Sequence, residues 1–143
     1  MGVGGLIPIE VFSIPTNSKL ELELTGQQGD VMRESMRCAK TVAWNLIPNK
    51  CKERLNKEWK DFGNTGIHIH CPDGSTPKDG PSAGAAITTA IISMLLREPV
   101  DNKIAMTGEI NLKGEVTEIG GLTQKLNGAK KAGVTHVLIP YQN

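Results

Sequence analysis

Between Leu6 and Pro15, β-branched and aromatic residues lie between glycines and a proline. From Lys19 to Leu24 the leucines Leu20, Leu22 and Leu24 alternate with Lys19, Glu21 and Glu23. A period of two places alternate side chains on one face, so the pattern predicts two opening strands, joined as a hairpin. After the turn Gly26 to Gly29 the period changes. Asp30 is placed to cap a helix whose apolar positions Val31, Ala39, Val42, Ala43 and Leu46 recur at helical spacing until Pro48. Asn49 to Asn64 is charged and poorly patterned, with Trp59 and Phe62 as candidate anchors, and reads as a surface connection with one or two helical turns.

Ile67 to Cys71 alternates again, as a strand, and the eleven residues from Cys71 through Pro81 hold three prolines and two glycines. A second helix is expected from near Pro81, a favourable first-turn position, to about Arg97, with Pro99 closing it. It is apolar on most faces and therefore central. Lys103 to Ile119 reads as two strands around Lys113-Gly114, Gly120 and Gly121 open a third helix, and Val134 to Ile139 reads as a buried strand. The order β, β, α, β, α, β, β, α, β predicts an α+β domain with mixed sheets. No internal repeat or low-complexity tract is present.

Bulk properties narrow the function classes. The 143 residues are the size of one domain, and 16 Lys plus Arg against 15 Asp plus Glu leave a net charge of +1. No broad field attracts nucleic acid or anionic lipid. The apolar stretch Ala83 to Leu96 falls short of the roughly 20 residues of a membrane span. No charged stretch followed by an apolar run marks a signal peptide. Cys38, Cys51 and Cys71 are an odd, widely spaced set without a C-x-x-C pair, which favours a reducing compartment over a disulfide framework or a zinc site.

The sharpest chemical feature is P-K-D-G-P-S-A-G from Pro77 to Gly84. It delivers Ser82 to the start of an apolar helix, where backbone N–H groups and the positive end of the helix dipole can serve an oxyanion. Serine also occurs at helix starts for capping alone. In the third helix Leu122, Lys125, Leu126 and Ala129 fall at i, i+3, i+4 and i+7, while Lys130 and Lys131 lie opposite with Gln124 and Asn127. Lys125 thus sits on the core side. There a lysine either acquires a depressed pKa and acts as a base for a nucleophile, or snorkels its amine to water.

Other chemistries have less support. His68 and His70 share one face of a strand, but no third metal ligand lies near them in sequence, and no metal is expected. His136 lies in the last strand. A serine-histidine-acid triad has acids available at Asp79, Glu109 and Glu118 but no support from spacing. The turn before the second helix could cradle an anion, yet both G-x-x-x-x-G-K-[ST] and G-x-G-x-x-G are absent.

Taken in order, T-G-Q-Q-G-D-V-M-R-E-S at 25 to 35, H-I-H-C-P-D-G at 68 to 74, P-K-D-G-P-S-A-G at 77 to 84, M-T-G-E-I at 106 to 110 and G-G-L-T-Q-K-L at 120 to 126 resemble the peptidase domain of Lon-type proteases, in the bacterial and mitochondrial style. The resemblance covers nearly the whole chain. It implies the Lon proteolytic-domain fold, similar to the second domain of ribosomal protein S5, over residues 1–143, with the C-terminal portion and the upstream ATPase and substrate-recognition regions of the family lacking. Thr123 and Gln124 stand where relatives often carry charge, while the lysine keeps its place.

By the same resemblance Ser82 is the nucleophile and Lys125 the general base, with Thr107 holding the lysine amine and Glu109 nearby. Asp79 is regulatory, and Gly80, Pro81 and Ala83 are oxyanion or substrate-binding positions. The implied activity is a serine endopeptidase acting on unfolded or damaged proteins. It needs no cofactor in this chain, ATP and Mg belonging to the motor of a full-length protein. The implied assembly is a homo-hexamer, with neither nucleic acid nor membrane as partner, in the cytoplasm or, failing that, a mitochondrial or peroxisomal matrix. A contrasting expectation is an assembly or peptide-binding module with the dyad misaligned.

Overall fold

The structure is a computed structural model that describes residues 7–26, 28–72 and 82–143. Its elements run β1 (Glu10–Pro15), β2 (Leu22–Thr25), α1 (Asp30–Leu46), α2 (Asn49–Phe62), β3 (Thr65–His70), α3 (Gly84–Leu96), β4 (Ile104–Met106), β5 (Glu109–Ile110), β6 (Val116–Thr117), α4 (Leu122–Lys131) and β7 (His136–Leu138). This is an α+β arrangement.

The opening strands are not a hairpin. β3 lies between them in the order β1-β3-β2, antiparallel to β1 and parallel to β2, which makes the sheet mixed. Ile67 and Ile69 of β3 are fully buried and take the central position. The link from β1 to β2 crosses over the start of β3, with the N–H groups of Thr16 and Leu20 donating to the carbonyls of Asn64 and Thr65. Gly66 permits this crossing, because a Cβ there would lie 2.3 Å from the carbonyl oxygen of Glu21 and 2.6 Å from the Thr16 methyl. A contact that close excludes any side chain.

α1 buries Met32, Met36, Ala39, Val42 and Ala43. Val31 and Leu46, expected on that stripe, are exposed, since the two methionines carry it instead. Gly29 is the N-cap and Asp30 the first helical residue, so Asp30 meets the helix dipole rather than capping with its side chain. The expected surface connection after Pro48 is a full helix, α2, of 14 residues. It holds on through a narrow stripe, Cys51, Leu55 and Trp59, at successive i+4 steps. Trp59 stacks on Trp44 at 5.7 Å between ring centroids, and its Nε1 donates to Thr65 Oγ1 at 2.7 Å. Phe62 is exposed and anchors nothing.

α3 is central, as its sequence implies, touching α1, β1, β4 and β5. It begins at Gly84, after Ala83 as N-cap, rather than near Pro81, which lies outside the described residues. Ile87 and Ile91 of α3 pack with Met36, Ile67, Ile69 and Cys71 into one core. Lys103 to Ile119 forms three short strands rather than two. β4 pairs in parallel with β7, and β5 pairs antiparallel with β6. β7 is not buried: His136 and Leu138 are exposed, and Val137 alone turns partly inward, because the two-stranded β4-β7 sheet is packed on one face.

No disulfide joins Cys38, Cys51 and Cys71. No helix of the described residues is long and apolar enough to cross a membrane.

Candidate active site

Ser82 precedes the N-cap of α3, and its backbone is held by the segment leaving β4. The N–H of Gly108 donates to the carbonyl of Ser82 at 2.8 Å, and the N–H of Ala85 donates to the carbonyl of Gly108 at 3.0 Å. These reciprocal bonds fix the serine against the first turn of α3. They also occupy the Ala85 N–H, so that donor is not open to an oxyanion, contrary to a picture of wholly free groups at the helix start. Gly108 holds φ of +153°, and a Cβ there would lie 2.4 Å from the Val116 side chain. Glycine at this point is a steric requirement that sequence reading passed over, although a lone glycine between strand-like runs was the available signal.

Lys125 comes from α4, which starts after Gly121 in the left-handed conformation, φ 70° and ψ 31°. That turn aims Leu122, Lys125 and Ala129 into a cavity of about 620 Å³. Leu126, expected on the same face, is exposed, so the inward stripe is narrower than the heptad-like pattern suggested. Lys130, Lys131, Gln124 and Asn127 are solvent-exposed as expected.

The cavity is walled by Ala83, Ala86, Thr89 and Ala90 of the α3 face, by Met106 and Thr107, and by Val137, with Met32 closing it from α1. Ser82, Thr107 and Lys125 all line it. The Lys125 amine donates to Thr107 Oγ1 at 3.4 Å, and that hydroxyl donates onward to the Ser82 carbonyl oxygen at 3.4 Å. Both bonds are long, near the outer limit of hydrogen bonding. Burial among apolar neighbours lowers the Lys125 pKa from its ordinary 10.5, since desolvation disfavours the ammonium form.

The other expected site residues divide. Ala83 lines the cavity and accepts the Ile87 N–H at 2.9 Å. Asp79, Gly80 and Pro81 lie outside the described residues. Glu109, in β5 just after Gly108, is exposed and does not line the cavity. None of the three histidines lines the cavity. His68 and His70 both bond Thr25 Oγ1, and His136 is exposed beside Thr135. A histidine base for Ser82 is therefore not assembled here.

The profile of the Lon protease (S16) C-terminal proteolytic domain matches residues 1–143. The chain belongs to this family. It is 49% identical over 143 residues to a Lon protease of Buchnera aphidicola, covering 99% of this chain and 17% of that one. A Lon protease 2 of Desulfotalea psychrophila is 47% identical over 142 residues, covering 99% and 17%. The Lon protease homolog of Acanthamoeba polyphaga mimivirus is 44% identical over 148 residues, covering 100% and 14%. The chain thus spans 14–17% of the length of these curated relatives. As a Lon proteolytic domain of peptidase family S16, it has its candidate chemistry in the cavity between α3 and α4.

Proposed function

We propose that this Lon proteolytic domain is a serine endopeptidase in which Ser82 attacks the peptide carbonyl and Lys125 is its general base. The observation that carries the reading is the lysine with lowered pKa in the same cavity wall as Ser82, its amine hydrogen-bonded to the threonine that also contacts the serine backbone.

A neutral Lys125 amine accepts the proton of the Ser82 hydroxyl as its oxygen bonds to the scissile carbon. The resulting ammonium, held by Thr107, returns that proton to the leaving amine as the C–N bond breaks. Lys125 then takes a proton from water as the water oxygen bonds to the ester carbon, and returns it to the Ser82 oxygen as the acyl C–O bond breaks, which restores the neutral amine and the free hydroxyl. Backbone donors around Ser82, with Gly80 and Ala83 among them, stabilise the oxyanion of both tetrahedral intermediates. Asp79 regulates access to the serine in this reading, and Pro81 is a substrate-binding position.

The reading extends, on the strength of the family resemblance, to unfolded or damaged polypeptides as substrates, to ATP-driven unfolding by a motor that uses Mg, and to a homo-hexameric ring. Hydrolysis of a quenched fluorescent peptide by the wild-type chain and by Ser82→Ala tests the core of it. Turnover lost in the variant while its folded spectrum is retained supports the nucleophile, and equal turnover removes it.

A further inference from the structure

The parity of the sheet register sorts its side chains onto two faces. Ile67 and Ile69 of β3 enter the core, so His68 and His70, both half-buried, lie on the opposite face of the sheet. Across the antiparallel pair Glu10 stands opposite His70 and Phe12 opposite His68. Across the parallel pair Thr25 stands opposite His70 and Glu23 opposite His68. Directly opposed residues share a face, so this outer surface carries Glu10, Glu23 and Thr25 around two imidazoles, and no strand position on it is basic.

The two imidazoles converge. His68 Nε2 lies 2.8 Å from Thr25 Oγ1, and His70 Nδ1 lies 2.7 Å from the same atom. Residues two apart on a strand are separated by about 6.6 Å along the chain, so the rings must lean together to reach one oxygen. Their planes stand at 74° with centroids 6.5 Å apart, an arrangement that aims one nitrogen of each at a common point. Sequence alone offered no third ligand near this pair. The parallel pairing of β2 with β3 brings a hydroxyl to the point of convergence, and both flanking carboxylates are exposed and without an ion pair among the described residues. Neither carboxylate is yet gathered with the two rings into a three-ligand cluster, so a complete set requires one of them to swing in.

We propose that His68, His70 and Thr25 form a surface chelate for a divalent transition ion of the imidazole-preferring class, represented by Zn²⁺. Imidazole nitrogen suits Zn²⁺ and Cu²⁺ where Mg²⁺ and Ca²⁺ favour oxygen. Glu23 or Glu10 supplies a charged oxygen by a rotamer change, and the acidic face favours a cation. Both imidazoles must offer lone pairs to the metal, which puts the N–H of His68 on Nδ1 and that of His70 on Nε2. Thr25 has one hydroxyl proton for two ring nitrogens, so in the metal-free hydrogen-bonded cluster at least one ring donates to it. Binding therefore changes the tautomer of at least one ring.

The test is a titration of the full chain with Zn²⁺ against a chromophoric chelator, with His68→Asn, His70→Asn, His136→Gln and Cys38→Ser run beside wild type. The expected result is one equivalent bound, weakened at least about tenfold by either His68→Asn or His70→Asn and unchanged in the other two. Nitrogen-15 NMR of wild type should show both the His68 and the His70 ring nitrogens shifting with Zn²⁺, a readout that does not depend on the variants folding. Unchanged affinity in the two asparagine variants, loss in Cys38→Ser instead, or ring nitrogens indifferent to Zn²⁺ overturns the proposal.

Discussion

The amine of Lys125 reaches the hydroxyl of Thr107 at 3.4 Å, joining α4 to the segment that leaves β4. The same hydroxyl contacts the backbone of Ser82, so three residues from distant parts of the sequence meet in one wall of one cavity. The chemistry open to this wall depends on whether the amine is a base or only a cation.

A base must lose its proton, and a guanidinium does not. Lys125→Arg keeps length and charge but should lower kcat for peptide hydrolysis by about 10²–10⁴-fold, as removal of a general base does. An undiminished rate in Lys125→Arg would reduce the lysine to a positioning charge. Steady-state kinetics on a fluorogenic peptide decide between them.

Burial lowers the Lys125 pKa, so the neutral amine, the form a general base requires, accumulates at lower pH than for a lysine in water. Activity should rise with pH through that lowered value and level off below the ordinary 10.5. The linkage has a definite sign: between the folded and unfolded pKa values the unfolded chain binds more protons, so this group makes folding more favourable as pH rises across that window. At neutral pH the desolvated amine is a cost. Lys125→Met should therefore abolish turnover yet unfold at no lower urea concentration than wild type, as denaturation monitored at pH 7 and again at pH 10 will show.

Gly108 binds both Ser82 and Ala85 through its backbone, at a φ that L-residues rarely adopt and with the Val116 side chain where a Cβ would go. Gly108→Ala should cost about 1–3 kcal/mol of stability and depress turnover by loosening Ser82. Chemical denaturation alongside the peptide assay separates the two effects: activity should remain low under conditions where the variant is fully folded.

The helix α2 offers a control within one element. Trp59 is 5% exposed, stacked on Trp44, and hydrogen-bonded through its indole, whereas Phe62, three residues on, is 88% exposed. Trp59→Ala should destabilise by about 3–5 kcal/mol and Phe62→Ala by no more than about 0.5 kcal/mol. Comparable losses from both would mean that α2 is docked the other way round.

Much of this fold is legible in the chain because the signals are local. The stop at Pro48, the central character of α3, the Lys113-Gly114 turn and the inward placement of Lys125 each depend on a few neighbouring residues. The illegible part is non-local. The alternation in β1 and β2 specifies strands but not that β3 comes between them, a choice made by Ile67 and Ile69 seeking the core and by Gly66 letting the crossing chain pass. The full length of α2 is hidden because three apolar residues in 14 suffice to dock it when tryptophan and leucine from other elements wait to receive them. The site divides in the same way. Ser82 and Lys125 stand out by position, while the Gly108 clamp arises from one backbone turn that composition does not encode.

Covalent labelling of the serine tests the central claim most directly. The full chain is incubated with a serine-reactive peptide warhead and read by mass spectrometry, beside Ser82→Ala and Lys125→Ala. A single adduct mapping to Ser82, absent from Ser82→Ala and strongly slowed in Lys125→Ala, is the predicted result. An adduct on another residue, or labelling at wild-type rate without Lys125, would contradict the dyad.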